Sequence, residues 1–329
     1  MAAYTIFGGE LSYFSRKLEA AMIFYGLDFE FLPKPPERTE EIETRAGTHQ
    51  VPVLLTPENW MIADTTPLLQ LLDARAPLRA LFPAGPEGVV VHLVEEYFDE
   101  WVARTMVHYR WHYDESAEFA SLRMAAGNPE VAARVRAWGP RACRATGTES
   151  THQRHMAEAE YQRILDAIQS QLNQTRFLMG DRPTAVDCIV LGGIRAHTNM
   201  DPTPKRLMAR YPKVVDWAER GANAWPGNGT LPDFPDVTDF ARFVLGEMRA
   251  TYVPFALGNR SALAAASKAF EVETYGEAVS YLCRPYPERS RQMIVSRIQA
   301  LRETDRQRIS QWLRAQELDA LLPEVRAPG

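Results

Sequence analysis

Apolar and polar positions recur with two different periods along this chain, and each change of period marks an element. Tyr4 to Phe7 is a short β-rich run, broken by Gly8-Gly9. Beyond it, Phe14, Leu18, Ala21, Met22 and Tyr25 fall at i, i+4, i+7, i+8 and i+11, one face of a helix. Gly26 stands where a C-cap belongs, and Ser12 where the helix begins. Phe29-Glu30-Phe31-Leu32 alternates into a second strand, so strand, helix and strand predict a parallel pair. The charged run from Lys34-Pro35-Pro36 to Arg45 predicts a connection with one short helix. Val53-Leu54-Leu55 meets Trp60-Met61-Ile62 across Pro57-Glu58-Asn59, a turn-forming trio. Thr65 or Thr66 is expected to cap the next helix, with Pro67 in its first turn.

Pro83 to Gly88 is rich in Pro and Gly and predicts a boundary. A long helix is expected from Val89 to about Tyr113, carrying Trp101, Tyr109, Trp111, His112 and Tyr113. Such aromatics either line an apolar pocket or fill a bundle core. Asn128-Pro129 and Gly139-Pro140 break the following stretch, 114–150, into short helices. From Thr151 to about Asn173 a helix turns Met156, Tyr161, Ile164, Leu165 and Ile168 inward. Thr184 and Asp187 have capping-box spacing, and Tyr211-Pro212-Lys213 opens a helix through Trp217. Pro226 to Pro235 reads as a linker, followed by helices over roughly 237–257, 260–283 and 287–316. In the last of these, Ile294, Ile298 and Leu301 form an apolar stripe, and eight arginines between Arg284 and Arg314 make the tail locally basic.

Composition narrows the function classes. The chain has 329 residues, 46% hydrophobic and 24% charged, ordinary for a globular protein of two or three domains. A net charge of −5 argues against nucleic-acid binding, which needs a basic footprint. No apolar run is long enough to predict a membrane span, and MAAYTIF has none of the marks of a signal peptide. Cys143, Cys188 and Cys283 are widely spaced and fit free thiols in a reducing compartment, so a cytoplasmic location is expected. His108 and His112 lie one turn apart, as do His152 and His155, but neither pair has a third convincing ligand. No metal site is expected.

The chemistry gathers at Ser12. The first turn of a helix offers unpaired N–H groups and the positive end of the dipole, which favour an anion such as a thiolate. Read alone, a serine there is a cap. Yet Ser12-Tyr13-Phe14-Ser15-Arg16-Lys17 resembles the opening of the first helix in cytosolic glutathione transferases. There a catalytic Ser or Cys precedes a second Ser or Thr by three residues and a basic residue by four. His49-Gln50-Val51-Pro52-Val53-Leu54 resembles the family's Val-Pro-Val-Leu segment, whose proline is cis. Ile62-Ala63-Asp64-Thr65-Thr66 resembles its acidic-Ser segment, and Gly180 to Asp187 its C-terminal capping box.

That resemblance implies an α/β thioredoxin-like domain over residues 1–82, an all-α transferase-type domain over 88–225, and a helical extension over 226–329 packed on it. It implies glutathione as co-substrate, held by Gln50, Val51, Pro52, Asp64 and Thr65, with its sulfur at the catalytic Ser12. Val51 would meet the extended peptide through its backbone. Asp64 would take the γ-glutamyl amine, one methylene further off than the family's commoner Glu, and Thr65 the carboxylate. Ser15 and Tyr13 are alternative hydroxyls for the thiol. Tyr13, Tyr109, His112 and Tyr113 are candidates for the pocket of a small hydrophobic electrophile, and a homodimer is expected. Alternative readings are a non-catalytic scaffold with this fold, which the extension favours, and a glutathione-dependent thiol-disulfide reductase. A serine in place of cysteine favours thiol transfer over disulfide reduction.

Overall fold

The computed structural model describes residues 4–220 and 225–321, so the end of the expected extension, 322–329, lies outside the described residues. Its first layer is a four-stranded sheet of order β2-β1-β3-β4. The strands are β1 (Tyr4–Phe7), β2 (Phe29–Leu32), β3 (Val53–Leu55) and β4 (Met61–Ile62). Helices α1 (Tyr13–Tyr25), α2 (Thr39–Ala46) and α3 (Thr65–Arg75) complete this part. β1 is parallel to β2, with Tyr4 opposite Phe29, and antiparallel to β3, with Phe7 opposite Val53. β3 is antiparallel to β4, with Leu54 opposite Ile62.

The caps of α1 are those its sequence predicts. The Ser12 hydroxyl oxygen accepts from the Ser15 N–H, and Gly26 closes the helix at φ 69°. Leu18, Ala21, Met22 and Tyr25 are buried, yet so are Ser15, Lys17, Ala20 and Phe24. The second buried side faces α10 (Ala185–Gly193). A Cβ at Gly192 would stand 2.6 Å from the Tyr13 carbonyl and 2.9 Å from the Lys17 nitrogen, so only glycine admits this approach. The expected capping box is present: the Thr184 N–H donates to Asp187 at 2.7 Å.

The long helix expected from Val89 is α4 (Gly85–Glu96), continued by a π-helical segment, Tyr97–Val102, into α5 (Ala103–Trp111). Short helices α6 (Asp114–Met124), α7 (Pro129–Arg136) and α8 (Gly139–Ala145) follow, then α9 (Thr151–Leu172). Glu160 of α9 is fully buried and accepts from the Tyr97 hydroxyl at 2.5 Å, the Trp101 indole at 2.7 Å and Arg104 at 2.8 Å. After α10 come a further π-helical segment, Ile194–Thr198, then α11 (Pro202–Lys205) and α12 (Pro212–Arg220).

The chain beyond the linker departs most from expectation. It forms α13 (Asp239–Ala250), α14 (Tyr252–Ala264), strands β5 (Ala269–Thr274) and β6 (Glu277–Leu282), then α15 (Pro285–Gln299) and α16 (Glu303–Ala315). The helix expected over 260–283 is therefore the end of α14 and a hairpin. Phe270, Val272 and Thr274 alternate inward opposite Tyr281, Val279 and Glu277. Tyr275 and Gly276 turn the chain at φ 53° and 77°, which two-residue hairpins require. The alternating period outweighs the helix propensity of the alanine-rich run before it. α13, α15 and α16 pack on α4, whose residues Pro86 and Gly88–Glu96 are all buried. The Tyr252 hydroxyl donates to Glu96 at 2.6 Å, the Ser290 hydroxyl donates to its other oxygen, and Arg284 pairs with Glu100 at 2.9 Å.

Two buried acids on α4 thus have opposite partners. Glu95 meets Lys17, whose ammonium also reaches Asp99 and Thr66, each at 2.8 Å. Glu96 meets only hydroxyls in these bonds. Burial, then the neighbouring Glu100 and Asp99, push its carboxyl well above the usual range. The folded chain keeps a proton that an unfolded chain releases above its ordinary 4.5, so this contribution is complete below that value and is lost as pH rises. Glu96→Gln should remove the loss. Urea midpoints should shift in the variant's favour, relative to wild type, from about pH 5 to pH 8; parallel pH curves would contradict this. Lys17→Met strands Glu95 and Asp99, and should lower unfolding free energy by about 3–5 kcal/mol.

Candidate active site

Strand directions gather the sequence-expected residues at one end of the sheet. β1 leaves the sheet at Phe7 toward Ser12. β3, antiparallel to it, enters beside it from Val51-Pro52, and β4 leaves at Ile62 toward Asp64-Thr65. Ser12, Val51, Pro52, Asp64 and Thr65 therefore ring the same edge, with α1 and α3 both starting there.

The Ser12 loop is braced from several sides. The Gly9 N–H donates to Ser15 Oγ at 3.2 Å, and the Ser12 N–H to the Gly9 carbonyl at 3.0 Å. The Leu11 carbonyl accepts from Arg110 of α5 at 2.7 Å, and Glu10 pairs with Arg123 of α6. Ser12 is half-buried, and its oxygen accepts from the Ser15 N–H at 3.2 Å. No bond among the described residues uses its hydroxyl hydrogen. The two alternative hydroxyls are both buried, and that of Tyr13 is already used as a donor. Ser15 is fully buried and accepts from Gly9, while Tyr13 is buried and donates to the Phe98 carbonyl at 3.1 Å. Burial, then Asp99, raise the Tyr13 phenol well above its ordinary value, so it stays protonated.

The Val51–Pro52 bond is cis. Pro52 is buried and Val51 half-buried, and among the described residues no hydrogen bond uses the Val51 N–H or C=O. Gln50 and His49 are exposed. Lys34, just past the end of β2, donates to the His49 carbonyl at 2.8 Å and pairs with Glu43 at 3.1 Å. The Pro-rich context of Lys34 gave no sign of this placement. Its signal was position alone, since β2 runs parallel to β1 and ends at the same edge.

At the third segment the expected cap is corrected. The cap position of α3 is Asp64, at φ 70° and ψ 107°, and neither Thr65 nor Thr66 fills it. Such a conformation is strained for a residue with a Cβ and persists where surroundings impose it. Thr65 opens the helix, so its N–H has no partner within it. Burial, then Asp99, raise the Asp64 carboxyl, while Lys17 and Arg289 oppose the rise. Lys17 lies on the same helical stripe as Phe14 and Ala21, which was its unread signal. With Thr66 also bonded to Glu95 at 3.0 Å, a buried charged network underlies the Asp64-Thr65 turn.

The four residues expected to line an electrophile pocket fall in two places, Tyr13 in the core beside α10 and the other three around the end of α5. Tyr13 and Tyr109 are buried, and Tyr109 stacks on Tyr113 with ring centres 6.0 Å apart. His112 meets His108 at 2.9 Å, His108 meets Glu158 at 2.7 Å, and the Tyr113 hydroxyl donates to Glu158 at 2.5 Å. His108, His112, Tyr113 and Glu158 make a polar cluster between α5 and α9 against which Tyr109 stacks, and Tyr13 belongs to the core beside α10. Among the described residues, no group of three or more His, Cys, Asp or Glu is gathered as metal ligands would be. No described helix is long and apolar enough to cross a membrane.

Residues 6–80 match the family model for the glutathione S-transferase N-terminal domain, and residues 161–221 the model for its C-terminal domain. No curated protein matches the chain. Among solved structures, a glutathione S-transferase from Rhodospirillum rubrum F11 is 18% identical, over 68% of this chain and 89% of its own, with a TM-score of 0.47. The beta-etherase of Sphingobium sp. strain SYK-6 is 14% identical, over 68% and 96%, at 0.47. A glutathione S-transferase from Methylobacterium radiotolerans, in complex with glutathione sulfonate, is 20% identical, over 70% and 98%, at 0.43. With both domain models matched in order, and the sheet and helices laid out as they require, the chain belongs to the glutathione S-transferase superfamily.

Proposed function

We propose that this chain activates the thiol of glutathione for attack on a small hydrophobic electrophile. The observation that carries the reading is the state of Ser12. Its oxygen is engaged by the Ser15 N–H at the start of α1, and its hydrogen is left to donate outward. A thiolate set there would gain that hydrogen bond and the positive helix end together. The thiol proton goes to solvent. The sulfur then forms a bond to an electrophilic carbon, and the leaving group departs with the electron pair and takes up a proton from water. Glutathione would lie along Val51, Pro52 and Gln50, its γ-glutamyl end at Asp64-Thr65 and its glycyl carboxylate toward Lys34. The chain is taken to be a cytoplasmic homodimer.

Disulfide reduction is the weaker reading, because no cysteine stands at the helix start. Cys143 and Cys188 are buried, and burial raises both thiols. The non-catalytic scaffold is separated by measurement. The thiolate absorbance of bound glutathione should titrate below the ordinary thiol value of about 8.5. Ser12→Ala should raise that value toward 8.5 and cut turnover about 100-fold, with glutathione still bound. An unshifted thiol in the wild-type protein would leave a binding scaffold. Asp64→Asn should raise the glutathione KM about tenfold, from the loss of a charged partner, with a smaller change in kcat.

A further inference from the structure

The chain from α7 into α8 carries an exposed face that neither the fold nor the site at Ser12 uses. Ala137 (φ −62°, ψ −15°) and Trp138 (φ −77°, ψ −28°) keep helical dihedrals between the two helices. Arg134, Trp138 and Arg141, at i, i+4 and i+7, therefore share one side. All three are exposed, Trp138 to 65%. That exposure is built into the backbone. Gly139 lies so close against Trp111 of α5 that a Cβ there would stand 3.0 Å from that side chain. The chain is pinned at this glycine, and the indole just before it stands in solvent.

Charge marks the same stretch. From Leu122 to Ala145 there are five arginines and one acid, Glu130, in a chain of net charge −5. Three of these arginines are answered: Arg123 by Glu10, Arg136 by Asp114 at 2.7 Å, and Arg144 by Glu149 at 3.2 Å. The two that flank Trp138 are not. Among the described residues neither Arg134 nor Arg141 has a carboxylate at ion-pair distance, and Glu130, one turn before Arg134, does not reach it. A single exposed apolar side chain is ordinary on a protein surface. Here an indole stands between two unpaired guanidinium groups, and Leu122 and Met124 are exposed at the end of α6, on which α7 packs.

We propose that the face of Arg134, Trp138 and Arg141 docks on an anionic lipid surface. The guanidinium groups pair with headgroup phosphates, and the indole lies at the boundary between headgroups and acyl chains with its N–H toward water. Charge complementarity selects this occupant. Each arginine lacks a counter-ion of its own, a phosphate supplies one that accepts two parallel hydrogen bonds, and tryptophan is the side chain that favours this boundary layer. The contact is peripheral and needs no helix inside the bilayer. It stands independently of the role given to Ser12.

Flotation of the full chain with vesicles tests it, comparing about 30% phosphatidylglycerol in phosphatidylcholine with phosphatidylcholine alone. The anionic vesicles should bind the chain at least about tenfold more tightly, and about 0.5 M salt should release it. Arg134→Gln and Arg141→Gln should each weaken binding about fivefold, and Trp138→Ala about tenfold. Brominated acyl chains should quench tryptophan emission. Trp138→Phe should abolish that quenching, whereas Trp60→Phe, at the other strongly exposed tryptophan, should leave it. All these positions are exposed, so the variants keep the fold. Absence of binding to the anionic vesicles would overturn the proposal. So would equal binding to the neutral ones, insensitivity to the Arg134, Arg141 and Trp138 variants, or quenching that survives Trp138→Phe.

Discussion

The buried ammonium of Lys17 is the constraint on which the rest of this structure depends. It stands on α1, fully buried, and holds Thr66 of α3, Glu95 of α4 and Asp99 of the π-helical segment at once. Two helices that begin at the sheet edge are thereby fixed to the helix that crosses behind them. Burial pushes the Glu95 carboxyl up to about 7, against the pull of Lys17. Desolvation disfavours an ammonium, and Asp99 and Glu95 more than reverse that, so Lys17 stays protonated. Ser12 and Asp64-Thr65 begin the two helices that this network ties together, so electrostatics in the core helps set the spacing of the candidate site.

The same stretch of helix faces two ways. Glu95 and Asp99 turn toward α1, while Glu96 and Glu100 turn toward the C-terminal extension. Glu95 and Asp99 stand four residues apart, as do Glu96 and Glu100, so each pair shares one face of the continuous helix. On the extension side, hydroxyls and Arg284 take the place that Lys17 holds on the other. Fully apolar positions on α4, such as Val89, Val90 and Leu93, are thus covered on every side within one chain.

Much of the N-terminal layer was legible in the sequence, because its signals are local. The Ser12 and Gly26 caps, the alternation of Phe29–Leu32 and the turn at Pro57-Glu58-Asn59 each specify their own backbone. The Thr184–Asp187 box was legible for the same reason. Lys17 was not, since its partners lie 49 and 82 positions away. Tyr109 and Tyr113 read equally well as pocket or core, and only the stacking of α5 on α9 decides for core. The hairpin at 269–282 was hidden by the alanine-rich turn before it, although its period-2 alternation was present. The arginines of α15 looked like a solvated face, yet Arg297 is half-buried over the Phe82 ring, which the local pattern does not show.

The bond between Ser290 and Glu96 closes a span of 194 positions. During synthesis at about 5–20 residues per second, α4 leaves the ribosome roughly 10–40 s before the helices that cover its outer side exist. For that interval the outer side of a strongly apolar helix stands without the chain that will bury it. The acids Glu96 and Glu100 lie on that bare side, where water can ionise them. The nascent chain therefore carries negative charge on the surface most exposed to aggregation, and gives it up only when the extension arrives and Glu96 recovers its proton.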